Sequence, residues 1–290
     1  MKSVSFREFF KQFPNDDACL EHIMEVRFGI EHTCRKCGRD AKFYRLASEK
    51  AFSCQWCGDH VHPCVGTLFE NTHLPLQYWF HAIYLFTSSR HGVPAKELER
   101  QLGIPYKTAW RMAREIRMHM GKVNGNDPLS GTVEIDESMV GGKRSGGKRG
   151  RGAEGKTVVF GMLEKQGRVK TQVVPNVKRK TLYPIIEAGI VKGSTIHSDE
   201  LRSYHTLDEI GYQHETVNHA RKEFVRDNVH TNSIEGFWSR LQVSIRGTHV
   251  HVSSKHLSAY ADEFSYRYNC RKNPAMMLPE LLSTYPQVLQ

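Results

Sequence analysis

The chain has 290 residues, 39% hydrophobic and 10% aromatic, with 41 Lys and Arg against 31 Asp and Glu for a formal charge of +10. That composition can build cores, which excludes a disordered chain, and the length suits one large domain with one or two small ones. No run approaches the roughly 18 apolar residues of a membrane span and MKSVSFREFFKQF lacks a signal-peptide core, so a soluble intracellular protein with a polyanionic partner is expected.

Residues 1–30 carry Phe9, Phe10, Phe13, Leu20, Ile23 and Met24 at spacings of three and four, which predicts two short amphipathic helices broken at Pro14-Asn15. Residues 31–72 form a small β-rich module holding Cys34-Arg-Lys-Cys37-Gly38 and, sixteen residues on, Cys54-Gln-Trp-Cys57-Gly58. Two such turns supply the four thiolates of a tetrahedral Zn²⁺ site, closed and therefore structural. The glycine after each pair permits the positive φ of the turn. Seven cysteines, an odd number, without a secretion signal disfavour disulfides. His60, His62 and Cys64 are nearby substitutes for a ligand, and redox or merely buried cysteine pairs are the bland alternative.

Residues 73–122 turn helical: LQYWFHAIYLFTSS, then AKELERQLG and PYKTAWRMAREIR joined at Gly103-Ile104-Pro105. This is the outline of a helix-turn-helix. Lys107, Arg111 and Arg114 share one helix face that can meet phosphates or base edges, opposite Ala109, Trp110, Ala113 and Ile116; a solvated basic face is the alternative.

From residue 131 to 275 the period becomes that of strands. TVEIDESMV, KTVVFGMLEK and RVKTQVVPNV read as three consecutive strands, followed by the helix LYPIIEAGI, the strand STIHSDE, a short helix around 204–210, the strand YQHETVNH, and the helices SIEGFWSRLQVSI and KHLSAYADEFSYRYNCRK. An α/β domain with a mixed sheet follows. Residues 276–290 read as a C-terminal tail. Between the first two strands, residues 141–156 hold seven glycines and six Lys or Arg. There Lys143, Arg144, Lys148, Arg149 and Arg151 can track a phosphate backbone, or form a solvated hairpin loop.

Three carboxylates stand where catalytic groups belong. Asp136 and Asp199 end strands, where a carboxylate among apolar neighbours costs free energy unless paired. Glu235 begins a helix whose apolar stripe is Ile234, Phe237, Trp238 and Leu241. Two strand ends and one helix can deliver ligands to two divalent ions for phosphoryl transfer, and an all-oxygen set selects Mg²⁺ or Mn²⁺. The alternatives stay open: surface residues at strand exits, Glu134 or Glu137 in place of Asp136, and a capping box over Asn232-Ser233-Ile234-Glu235 with Asn232 as cap.

HTNSIEGFWSRL, with EIDESMVGGK, HSDEL and KHLSAYADEFSYRYNCR, resembles the ISXO-type DDE transposases of bacterial insertion sequences, related to the Merlin superfamily and carrying an N-terminal zinc ribbon. The likeness spans nearly the whole chain. It implies a ribonuclease H-like catalytic domain over 131–275, catalysis by Mg²⁺ or Mn²⁺, binding of terminal inverted repeats, and DNA cutting followed by strand transfer. By motif the catalytic, metal-holding positions are Asp136, Asp199 and Glu235, with Asn232 second choice because some relatives carry Asn there. Gln242 departs from the Lys or Arg usual in relatives seven residues after the third acid. His230, Arg240 and Arg246 would join Lys107, Arg111, Arg114 and the basic loop on double-stranded DNA, terminal repeat and target alike. A homodimer or larger assembly acting in the cytoplasm at the nucleoid is implied. The rival is a transposase-derived DNA-binding protein whose catalysis has decayed.

Overall fold

The computed structural model describes residues 4–141, 156–217, 226, 229–249 and 251–285. Lys143, Arg144, Lys148, Arg149 and Arg151 of the basic loop therefore lie outside the described residues. The chain divides into two units, one of residues 1–119 with 273–290 and one of residues 120–272.

In the first unit α1 (Phe6–Gln12) starts with a capping box between Ser5 and Glu8, and α2 (Asp16–Arg27) starts at an Asn15 cap. The break falls at Pro14-Asn15, as the spacing predicts. Strands β1 (Glu31–Thr33), β2 (Asp40–Arg45), β3 (Phe52–Cys54) and β4 (His60–Val61) form an antiparallel sheet in chain order. Gly38 (φ 66°) and Gly58 (φ 71°) take the left-handed conformation that the cysteine turns require. Each donates its N–H to the first cysteine of its pair, Gly38 to the Cys34 carbonyl at 2.9 Å and Gly58 to that of Cys54 at 3.0 Å. The turns bring all four sulfurs within 4.8 Å of one another, with Cys34 Sγ 3.6 Å from Cys57 Sγ and Cys37 Sγ 4.0 Å from Cys54 Sγ. Zn–S bonds of about 2.3 Å in a tetrahedron separate sulfurs by about 3.8 Å, so the thiols fit zinc. Then follow α3 (Leu76–Ser88), α4 (Ala95–Leu102) and α5 (Tyr106–Val123), with Gly103 left-handed (φ 63°) between the last two.

The second unit holds β5 (Thr132–Gly141), β6 (Lys156–Glu164), β7 (Val169–Val174), α6 (Arg179–Gly189), β8 (Thr195–Ser198), β9 (Gln213–Thr216), α7 (Asn232–Ser244) and α8 (Leu257–Asn269). The sheet runs β7-β6-β5-β8-β9, antiparallel among the first three and parallel from β5 through β8 to β9. This is the mixed sheet that the sequence predicts. Val133 and Ile135 of β5 and Phe160 and Met162 of β6 pack with Leu182 and Ile186 of α6 on one face. On the other, Val159 and Leu163 pack with Ile234, Phe237, Trp238 and Leu241 of α7 and Leu257, Ala261 and Phe264 of α8. Both faces are thus covered.

Two expectations are corrected. Asp136 does not end its strand, because β5 pairs with β6 through Gly141; what ends near it is the parallel ladder to β8, whose last pair is Glu134 with His197. The segment expected as a tail contains α9 (Met277–Ser283), which buries Met277, Leu278, Leu281 and Leu282 and belongs to the first unit. His119 and His22 each hydrogen-bond through Nε2 to a carbonyl of this helix, Leu281 and Leu282 respectively, both at 2.9 Å. Among the described residues no helix is long and apolar enough to cross a membrane.

The four-stranded sheet is small, so with zinc on the four cysteines its folding free energy would come largely from the metal. One zinc per chain is expected by elemental analysis. Cys34→Ser should lose it and open residues 31–61 to protease while residues 120–272 stay protected; full zinc retention in Cys34→Ser would contradict this.

Candidate active site

Alternation along β5 sends Val133, Ile135 and Glu137 to the α6 face and Glu134, Asp136 and Ser138 to the face that α7 covers. Three polar groups on a covered face need partners, and α7 supplies them in step. Glu134 Oε2 accepts the backbone N–H of Ser233 and of Ile234, both at 2.9 Å. Trp238 Nε1 donates to Asp136 Oδ2 at 3.1 Å, and Gln242 Nε2 donates to Ser138 Oγ at 3.2 Å. Two strand residues advance about 6.7 Å and four helix residues about 6 Å, so strand and helix keep pace over all three contacts.

Glycine makes the middle contact possible. Gly161 of β6 is the register partner of Asp136, and a Cβ there would stand 2.5 Å from Trp238 Cζ2 and 2.8 Å from Cη2. The indole occupies the space a side chain would fill. An isolated Gly in the apolar run TVVFGMLE is the sequence signal for such a close approach; Trp238 itself reads as one more residue of the apolar stripe.

The expected carboxylates meet where the parallel β5–β8 ladder ends, close enough that Asp199 and Glu235 act on Asp136. Glu134 lies opposite His197 in parallel register, and Asp136 and Asp199 each follow two residues later on their chains. Each of the three is oriented through one oxygen by a neighbouring donor. For Asp136 this is the Trp238 indole, for Asp199 Oδ1 the Leu201 N–H at 3.0 Å, and for Glu235 Oε1 the Thr231 hydroxyl at 3.0 Å. Burial, with the charges of Glu137, Asp199 and Glu235 adding to it, pushes the Asp136 carboxyl up to about 8. A carboxyl raised by burial and by the charges of neighbouring carboxylates belongs to a donor set that a divalent cation fits, since cation binding offsets the repulsion. Among the described residues the groups whose ligand atoms close to within 4.8 Å are the four cysteines and the exposed trio Glu49, His60 and His62, so the three carboxylates stand wider than that.

The competitors of Asp136 are otherwise engaged. Glu134 is fully buried and bonded to α7. Glu137 faces α6 and accepts from the Tyr204 hydroxyl at 2.9 Å, inside a site that raises the Tyr204 pKa well above its ordinary value through burial first and the Glu137 charge second. Asn232 is the first residue of α7 and is exposed, and the cap position falls on Thr231, which makes no side-chain cap bond. The capping box with Asn232 as cap is therefore not formed; Glu134 takes its place.

Of the basic residues expected to meet DNA, Lys107 and Arg111 are exposed on α5, while Arg114 pairs with Glu115 at 2.9 Å. Arg240 and Arg246 are exposed, and Arg246 donates to Gln242 Oε1 at 3.1 Å. His230 is instead half-buried with Nδ1 3.2 Å from Glu134 Oε1.

Residues 128–269 match the ISXO2-like transposase domain and residues 14–60 the transposase zinc-ribbon domain. The chain is 27% identical over 285 residues to an uncharacterized protein in transposable element ISH50 of Halobacterium salinarum, covering 91% of this chain and 94% of that one. It is 31% identical over 102 residues to an uncharacterized transposase-like protein of Haemophilus influenzae, covering 35% of this chain and 81% of the relative. Among solved structures, the pre-cleavage Mos1 transpososome aligns at 12% identity and a TM-score of 0.29, over 71% of this chain and 79% of that one.

Filling the indole's space should be costly. Gly161→Ala is expected to lower stability by about 1–3 kcal/mol in denaturant unfolding. Gly236→Ala, in α7 with nothing within 4 Å of the added Cβ, should be neutral or stabilising by about 0.5–1 kcal/mol. Equal stabilities for the two would remove the close-packing argument.

Proposed function

This chain belongs to the ISXO2-like transposase family, and from that premise we propose that it binds the terminal inverted repeats of an insertion sequence, cuts DNA there and joins the freed 3′ end to a target. The observation that carries the cutting is the meeting of negative charge at Asp136, whose carboxyl is raised to about 8 by burial and by the charges of Glu137, Asp199 and Glu235. Asp136, Asp199 and Glu235 would hold Mg²⁺ or Mn²⁺, and the bound cation would activate the attacking oxygen and stabilise the leaving one. The chain's own part is orientation: Trp238, the Leu201 N–H and the Thr231 hydroxyl each fix one carboxylate. A ribonuclease H-like core is supported by the order β7-β6-β5-β8-β9, with hairpin strands first and helix-linked strands after.

The zinc ribbon and the pair α4–α5, acting as a helix-turn-helix, hold the element's end. Lys107 and Arg111 on α5, with the exposed Arg240 and Arg246, contact phosphates, which position the duplex without reading its sequence. Two ends must be joined in one reaction, so the working form is a dimer at least.

Asp136→Asn and Asp199→Asn should each abolish cleavage of an end-bearing duplex while leaving its binding nearly unchanged; wild-type cleavage by either would sink the triad. A decayed DNA-binding protein would bind without cutting even when wild type. The third ligand is separable by chemistry. Gln keeps the acceptor that Thr231 uses but lacks the charge that a divalent ion needs, so Glu235→Gln should keep its melting temperature and lose cleavage by orders of magnitude. Asn232→Ser should stay active. The reverse pair of outcomes would move the third ligand to Asn232.

A further inference from the structure

The first turn of a helix has backbone N–H groups with no partner inside the helix, and in α7 two of them are satisfied from another element. The Thr231 cap makes no side-chain bond. Instead Glu134, 99 residues earlier on β5, accepts both Ser233 N–H and Ile234 N–H on one oxygen at 2.9 Å each. Its side chain has 0% exposure. The second oxygen stands 3.2 Å from His230 Nδ1, and the ring of His197, opposite Glu134 in the sheet, is 6.5 Å from that of His230. One carboxylate therefore ties β5 to the first turn of α7.

What this tie fixes is the site. Glu235 follows Ile234 directly, and Asp136 stands two residues beyond Glu134 on the same strand face. One path through the fold from one to the other runs through the Glu134 carboxylate, by way of the Ile234 N–H. The Trp238 and Gln242 contacts lie further along α7 and hold its body, while the turn that carries Glu235 is held at Glu134. Glu134 Oε2 is given to the two N–H groups, and Oε1 is buried 3.2 Å from His230 Nδ1 without a hydrogen-bond partner among the described residues.

We propose that Glu134 is a positioning residue: by capping α7 from strand β5 it sets where Glu235 stands relative to Asp136. The inference rests on the reading of Asp136, Asp199 and Glu235 as the cation-holding triad. It makes a claim that reading does not, namely that a residue touching neither cation nor DNA controls how tightly the cation is held.

The test uses the full zinc-loaded chain with Mn²⁺ as the probe. Half-saturation is followed by the loss of the free-ion electron paramagnetic resonance signal and by the Mn²⁺ dependence of cleavage. Glu134→Gln keeps a carbonyl oxygen for both N–H groups and should bind Mn²⁺ like wild type. Glu134→Asp keeps the charge but falls one methylene short, and Glu134→Leu removes the acceptor. Both should weaken Mn²⁺ binding by about 10–100-fold, the range typical of lost outer-shell support, with cleavage partly recovered at high Mn²⁺. A merely structural role would lower melting temperatures in the same order and leave half-saturation unmoved. If Glu134→Leu does not fold, Glu134→Asp carries the comparison. Asp136→Asn run alongside separates the two failures. If it loses Mn²⁺ while Glu134→Asp and any folded Glu134→Leu bind as wild type, the positioning role is overturned and the triad stands. If Asp136→Asn binds Mn²⁺ as wild type, the triad falls and the positioning role with it.

Discussion

Polar side chains on a covered sheet face must each find a partner, and in this chain the search for partners fixes the register between β5 and α7. A buried donor or acceptor left unpaired costs about 1–3 kcal/mol, so sliding α7 by one turn along β5 would forfeit several bonds together. Apolar packing alone tolerates such slippage better, because one methyl group can replace another as a neighbour. The contacts of Glu134, Asp136 and Ser138 therefore supply directional information that Ile234, Phe237 and Leu241, buried on the same helix, do not. Stability and alignment of the carboxylates come from the same bonds.

Spacing carries the local parts of this structure in plain view. A Cys-x-x-Cys-Gly turn closes within five residues, so the sulfur cluster and both left-handed glycines follow from the string itself. Helices and strands likewise announce themselves through periods of 3.6 and 2. The alternation in TVEIDESMV, however, reads equally well with its polar side in water, and only the arrival of α7, about a hundred residues later, turns that side inward. Glu134 could be seen as a competitor of Asp136 but not as a helix cap, because no rule of sequence spacing links a strand carboxylate to a distant first turn. The surroundings of His230 are hidden for the same reason. Its neighbour in space, Glu134, is remote in sequence.

The last helix shows a different kind of illegibility. Met277, Leu278, Leu281 and Leu282 repeat at helical spacing, yet Pro279 interrupts the string and suggests a loop. It falls in the first turn, where a missing N–H costs nothing because that group has no partner within the helix. Its buried side chains then join α2 and α3 in the first unit.

That last assignment has a consequence for how the protein is made. The first unit is discontinuous: residues 120–272 are strung between its two parts. Synthesis runs from the N-terminus, so the ribbon and its helices are exposed to the cell while every strand of the sheet is still being translated, and they receive α9 only afterwards. Domains generally fold as units in order of emergence, but here the unit that emerges first is completed last. Until α9 arrives, the apolar surface of α2 and α3 that it covers faces solvent, and a nascent chain stalled before residue 277 would present that surface to chaperones or to another nascent chain.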